Sequence, residues 1–222
     1  MNMVLIPKMS VIIHTCDAYA FCWKGCLHYF DKYWNNWEYP VYFCNEVQEV
    51  FYPRIKNLRS GKSEWSDRLI TILNNVDTKY VFYLQEDMWL NKGLPSDMIP
   101  YLIELMENND LFCIHICPPN AFYATLPSSL KSKYEVLPFN PKGKYLMNHQ
   151  PAIWHRSFLR ECLVPNESPW INEIDGTSRL RKIKRKWKGK ISIHYKEWYT
   201  PVCIKGKLTE FGKTFNEKRV SK

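Results

Sequence analysis

An α/β fold with a mainly parallel central sheet is what this sequence of 222 residues predicts, on three observations. Short β-branched apolar runs alternate with longer stretches of helical periodicity. The clearest runs end abruptly in polar or acidic residues, as buried strands do where they reach a ligand-facing edge. The composition, 45% hydrophobic, 15% aromatic and 24% charged, is that of a folded chain. It excludes a disordered segment, a peptide hormone or a long repeat array.

The elements follow in order. Residues 10–15 (SVIIHT) are β-branched, apolar and too few for a helix, so they read as a first buried strand, followed by polar Cys16 and Asp17. Over 18–34, Phe21, Cys22, Gly25, Leu27, Tyr29, Phe30 and Tyr33 recur at helical spacing, and 40–44 (PVYFC) reads as a second strand. Together they make one βαβ unit. Residues 63–67 (SEWSD) precede the periodic Leu69, Ile70, Ile72, Leu73 and Val76, which predicts a capped helix ending near Asn74 and Asn75. Residues 79–84 (KYVFYL) are the clearest strand and stop at Gln85, Glu86 and Asp87. A helix is expected over 95–108 and a strand over 111–117. Prolines punctuate the remainder, from Pro118 to Pro201, and predict long shaped loops folded over the first half. With no internal repeat and no Gly/Ser linker, 1–222 reads as one domain.

Thirty-one Lys and Arg against 22 Asp and Glu leave a net charge of +9, which suits phosphate-bearing partners. Nine Trp, 14 Tyr and 11 Phe supply enough rings to line a pocket for a planar or sugar-like ligand as well as a core. The apolar runs at the start are short and broken by Pro7 and Lys8, neither a signal peptide nor a membrane span, so a soluble, cytoplasmic protein is expected. The eight cysteines are expected as reduced, mostly buried thiols. The close pairs, Cys22/Cys26 and Cys113/Cys117, have C-x3-C spacing and not that of a zinc knuckle.

The chemistry concentrates where a buried strand delivers the adjacent carboxylates Glu86 and Asp87 to its carboxyl end. Such a pair can hold Mg²⁺ or Mn²⁺ and leave positions open for substrate phosphates. The alternative is a turn whose acids merely end the strand. Glu173 and Asp175 are candidate bases for a hydroxyl proton, behind Trp170, whose indole can stack on a sugar, and ahead of Gly176, which permits a tight loop. They can equally be solvated loop acids. His194, within ISIHY, is a candidate metal ligand or a core histidine. Gln150 and Trp154 are candidate sugar contacts, with Trp154 alternatively in the core. The run 179–190 (RLRKIKRKWKGK) reads as an amphipathic helix, with Ile183 and Trp187 docked and its lysines exposed, or as a contact for diphosphate or an anionic membrane. Nucleic acid is the weakest reading of it.

In this order, Asp17 after the first strand, WSDRL at 65–69, QED at 85–87, HQPAIWHR at 149–156 and NESPWINEIDG at 166–176 resemble the nucleotide-sugar-dependent glycosyltransferases of the GT-A fold, in particular a small bacterial and viral glycosyltransferase-like family. The resemblance spans roughly 10–212 and departs in one place: Glu86-Asp87 precedes Met88 where the family has an Asp-x-Asp element. It implies a GT-A (Rossmann-like) α/β/α sandwich, with 1–117 as a nucleotide-binding half and 118–222 as an acceptor-binding half. It also implies Thr15 and Asp17 at the base and ribose, Trp65, Asp67 and Arg68 facing the donor, and Asp87 with Glu86 at the metal or diphosphate. The implied partners are a nucleotide-diphosphate sugar and a glycan or other hydroxyl acceptor, with Mn²⁺ or Mg²⁺. Two other functions fit the same residues: a basic module binding nucleic acid or an anionic polymer, and a metal-dependent phosphohydrolase.

Overall fold

The computed structural model describes residues 8–34, 38–116, 134, 136–138, 142–183, 190–193 and 198–220. Its centre is an eight-stranded sheet of β1 (Met9–His14), β2 (Val41–Asn45), β3 (Ile55–Arg59), β4 (Tyr80–Gln85), β6 (Cys113–Ile116), β7 (Val136–Pro138), β8 (Ala152–His155) and β9 (Lys190–Ile193), in the order β3-β2-β1-β4-β8-β6-β9-β7. Strands β3, β2, β1 and β4 are parallel; β8 runs against both β4 and β6, and β7 against β9. The fold class is therefore α/β with a mainly parallel sheet. Two small antiparallel pairs complete it, β5 (Met88–Leu90) with β10 (Tyr199–Pro201), and β11 (Cys203–Ile204) with β12 (Lys207–Leu208).

Every residue of β1 is buried, because helices cover both faces of the sheet. Val11 and Ile13 point into one core, packed by α1 (Ala20–Tyr33) and α3 (Met98–Asn109). Ile12 points into the other, packed by α2 (Trp65–Asn74), α4 (Arg156–Glu161) and Leu180 of α5 (Pro169–Lys182). The last helix, α6 (Glu210–Val220), lies against α1. In α1, Gly25 sits against the indole of buried Trp89, which occupies the space a Cβ would take.

Four sequence expectations change. Strand β3 (IKNLR) was not foreseen, since its burial follows no apolar alternation. Residues 152–155 are not part of a covering loop but a strand wedged into the middle of the sheet. Residues 169–182 form helix α5, so Gly176 makes no tight loop. It lies mid-helix, where a Cβ would stand 2.9 Å from Cγ of Met147. That helix stops at Lys182, with Ile183 extended, so the basic run is not one continuous helix. Residues 184–189, and with them Trp187, lie outside the described residues, as do Cys117 and His194. The seven described cysteines are free thiols, with Cys22 and Cys26 buried on α1 and Cys113 on a strand. Among the described residues no helix is long and apolar enough to cross a membrane.

Candidate functional site

Strand order reverses direction around β1 and β4: the chain adds β2 and β3 on one side of β1 and β4 on the other. The crevice outside the carboxyl ends at such a reversal is where open α/β sheets bind ligands. A cleft of ≈ 400 Å³ lies there. Its floor is His14, Thr15 and Cys16 from the end of β1 and Gln85, Glu86 and Asp87 from the end of β4, strands that pair His14 with Gln85. One wall is Glu64, Trp65 and Arg68 at the start of α2, with His149 and the segment Ser168, Pro169, Trp170 and Glu173 at the start of α5. The other is Tyr19 with Cys203, Lys205 and Gly206 of the β11–β12 hairpin.

The acidic pair is fixed by its own backbone. The Glu86 carbonyl accepts from Trp89 Nε1 (3.1 Å) and the Asp87 carbonyl from the Val202 N–H (2.8 Å). Glu86 is 7% exposed, and Oδ1 of Asp87 is buried with no hydrogen-bond partner among the described residues. Burial raises the pKa of both carboxyls, and the neighbouring Asp87 charge raises Glu86 further. The floor thus gathers two carboxyls that burial holds back from ionising, with the Thr15 hydroxyl and the Arg68 guanidinium favouring the charged form of Glu86.

Arg68 is the buried cation of the site. Its Nη1 donates to Glu46 Oε1 (3.2 Å) and to the Ser63 carbonyl, and Glu46 Oε2 in turn accepts the Asp17 N–H (3.0 Å). In the floor, His14 Nδ1 lies 3.2 Å from the Tyr83 hydroxyl, and above it the rings of His149 and Trp65 are 4.2 Å apart. Trp23 Nε1 donates to Thr15 Oγ1 (2.8 Å), holding that hydroxyl in the floor.

The start of α5 is built by local sequence. Ser168 caps the helix, its Oγ accepting from the Ile171 N–H (3.3 Å), and Pro169 takes the first position, where no N–H is needed. Glu167 locks this corner: it pairs bidentately with Arg179 (2.6 and 2.8 Å), its N–H donates to Ser66 Oγ of α2 (2.9 Å), and its carbonyl accepts the Ser66 N–H (3.1 Å). Glu173 Oε1 then accepts the His149 N–H (3.1 Å) at the cleft edge.

Of the residues singled out in the sequence, Thr15, Trp65, Arg68, Glu86, Asp87, Trp170 and Glu173 meet in this cleft. The others lie elsewhere. Asp17 turns its carboxylate to the Val47 and Gln48 N–H groups (3.4 and 3.3 Å), and Asp67 receives the Asn166 N–H (2.9 Å). Gln150 accepts from the Tyr199 hydroxyl (2.9 Å). Trp154 is in the core on β8, 1% exposed, with no face for an acceptor. Asp175 is exposed on the outer side of α5, away from the lining. Sequence reasoning missed His14, Tyr19, His149, Cys203, Lys205 and Gly206. Only the last pair carried a signal, a two-residue turn with positive φ at both positions (51° and 75°) between short apolar segments.

A helix-covered, mainly parallel sheet with two adjacent carboxyls at its reversal point is a Rossmann-like α/β arrangement. Solved structures share it. S. aureus TarS 1–349 in complex with UDP-GlcNAc superposes with a TM-score of 0.57 at 12% identity, over 91% of this chain and 60% of that one. The UDP complex of the same protein gives 0.54 at 13%, over 87% and 60%. A cytidylyltransferase from Leptospira borgpetersenii gives 0.51 at 11%, over 97% and 96%. At these identities the likeness is one of fold, and this chain spans 60% of the length of TarS 1–349. No protein-family model matches the sequence, and no curated protein matches it.

Proposed function

We propose that the chain is a glycosyltransferase that moves a sugar from a nucleotide-diphosphate sugar to a glycan or other hydroxyl acceptor. One observation carries this reading: two adjacent carboxyls, Glu86 buried and Asp87 with a partnerless Oδ1, at the floor of a cleft whose wall presents an exposed indole and a further carboxylate, Trp170 and Glu173. The shared fold with TarS, solved with UDP-GlcNAc and with UDP, supports a nucleotide-sugar donor. Cytidylyltransferases share the fold too.

Among the described residues no three His, Cys, Asp or Glu side chains gather to hold a metal, so a divalent ion would rest on the floor pair alone. Glu86 and Asp87 offer hard oxygens, and Oδ1 of Asp87 is buried without a partner among the described residues. These two residues would hold Mn²⁺ or Mg²⁺, which supplies positive charge near the departing diphosphate. Trp170 would stack on the acceptor sugar. Glu173 would take the acceptor hydroxyl's proton as its oxygen bonds to the anomeric carbon. The bond from that carbon to the diphosphate breaks, and its electron pair leaves with the nucleotide. That course inverts the anomeric centre.

The test is a thermal-shift and calorimetric panel of UDP-, GDP-, dTDP- and CMP-sugars with and without Mn²⁺, since a bound donor stabilises the folded state. The expected result is one metal-enhanced donor, whose shift and hydrolysis are both lost in Asp87→Ala. If no donor shifts the protein, or Asp87→Ala retains full donor hydrolysis and transfer, the reading is wrong.

A further inference from the structure

Helix α5 has an outer face that the fold leaves uncovered and that the cleft uses only at its first residue, Trp170. Its inner face buries Asn172, Gly176, Thr177 and Leu180. The outer face begins with a large apolar ridge: Trp170 is 66% exposed, Ile171 47% and Ile174 60%. Three turns on, the same face ends in exposed Arg181 and Lys182. Arg181 donates to the Gly143 carbonyl (2.9 Å), which brings exposed Lys142 and Lys144 into the same cluster. Asp175 is the single acid along this outer face. An apolar ridge about 16 Å from a group of four cations is the pattern of a helix lying on an anionic bilayer, with rings and aliphatic chains in the headgroup boundary and cations over the phosphates.

We infer that this face, the ridge of Trp170, Ile171 and Ile174 with the cluster of Lys142, Lys144, Arg181 and Lys182, docks the protein on an anionic lipid surface. Other occupants fit it less well. A glycan platform sets hydrogen-bonding groups beside its ring, and the two isoleucines have none. Nucleic acid needs stacking faces among the phosphate-binding cations, whereas among the described residues of this face the one indole lies at the far end from them. A second copy meeting the same face about a two-fold axis through the ridge would leave the cation clusters at opposite ends with no acids to meet them.

The docking rests on this surface alone. Its consequence rests on the transferase reading: Trp170 belongs both to the ridge and to the cleft lining, so docking brings the cleft mouth to the membrane and selects an acceptor hydroxyl carried on a lipid.

Cosedimentation with vesicles of phosphatidylcholine alone and of equimolar phosphatidylcholine and phosphatidylglycerol tests it, with heparin as a soluble polyanion control. The full chain is expected to bind the anionic vesicles and not the neutral ones. Ile174→Asp should weaken that binding about tenfold by removing a buried aliphatic side chain. Lys142→Glu with Lys182→Glu should weaken it by about tenfold or more, with the residual binding lost at high salt. The inference is overturned by an absence of vesicle binding at low salt, or by vesicle binding that Ile174→Asp leaves unchanged. It is also overturned by heparin binding as tight as that to vesicles, or by light scattering that shows a dimer dissociated by Ile174→Asp. Donor-induced thermal shifts of wild type and Ile174→Asp, measured alongside, separate the two ideas: normal shifts with no vesicle binding reject the docking and leave the transferase reading standing.

Discussion

Burial, the Arg68 guanidinium and the His149 ring together push the His14 pKa well below its ordinary 6.5, so the imidazole folds neutral. The unfolded chain takes up this proton first as pH falls, and the stability present above 6.5 is lost on acidification. From about pH 7.5 to about pH 5.5 the wild-type unfolding midpoint should therefore move downward relative to that of His14→Gln, by up to about 1.4 kcal/mol per pH unit, because the raised carboxyls of Glu86 and Asp87, which act in the opposite sense, are common to both proteins. Equal shifts in the two proteins would discount His14. Glu173 invites a kinetic test: Glu173→Gln should lower turnover by about 10²–10⁴ while leaving donor affinity unchanged. Calorimetry beside a transfer assay separates those two effects. Residues delivered by a strand end or a helix start were legible in the sequence, as with Thr15, Glu86, Asp87, Trp65 and Arg68. His149 and Lys205 were not, because their place depends on the packing of His149 over Trp65 and of a distant hairpin beside Tyr19.

Between elements, α1 touches β5 through Gly25 and Trp89. Any side chain at position 25 meets the indole, whose Nε1 is tied to the Glu86 carbonyl. Gly25→Ala should therefore cost about 1–3 kcal/mol by overpacking. Because the displaced ring abuts the acidic turn, donor affinity should fall with it. Chemical denaturation and the donor shift measure both, and an unchanged midpoint would mean the ring has room to move. The elements of the first half were readable because buried parallel strands give unbroken apolar runs. Strand β3 was not, since IKNLR sits on a partly exposed edge. Helix α5 was misread because Pro169 and Gly176 look like loop residues. Pro169 occupies the first helical position, and Gly176 is packed by Met147.

At the scale of the whole molecule, the sheet is not divided between the two halves of the sequence. Strands β8 and β9, from the second half, complete a sheet begun by the first, and the cleft takes residues from both. No short motif could reveal that, because four residues (AIWH) do not state whether they run with or against their neighbours. A fragment of residues 1–117 would leave the otherwise buried strands β4 and β6 with open edges. It should be insoluble or bind a hydrophobic dye without a cooperative melt, and a soluble, cooperatively melting fragment would contradict this. The wedged position of β8 also bears on the chain's synthesis. At about 5–20 residues per second, the edge of β4 waits roughly 3–13 s on the ribosome before its partner is made. Nascent-chain protection by a chaperone, and sensitivity to codon usage between these strands, follow from where a single four-residue strand was placed.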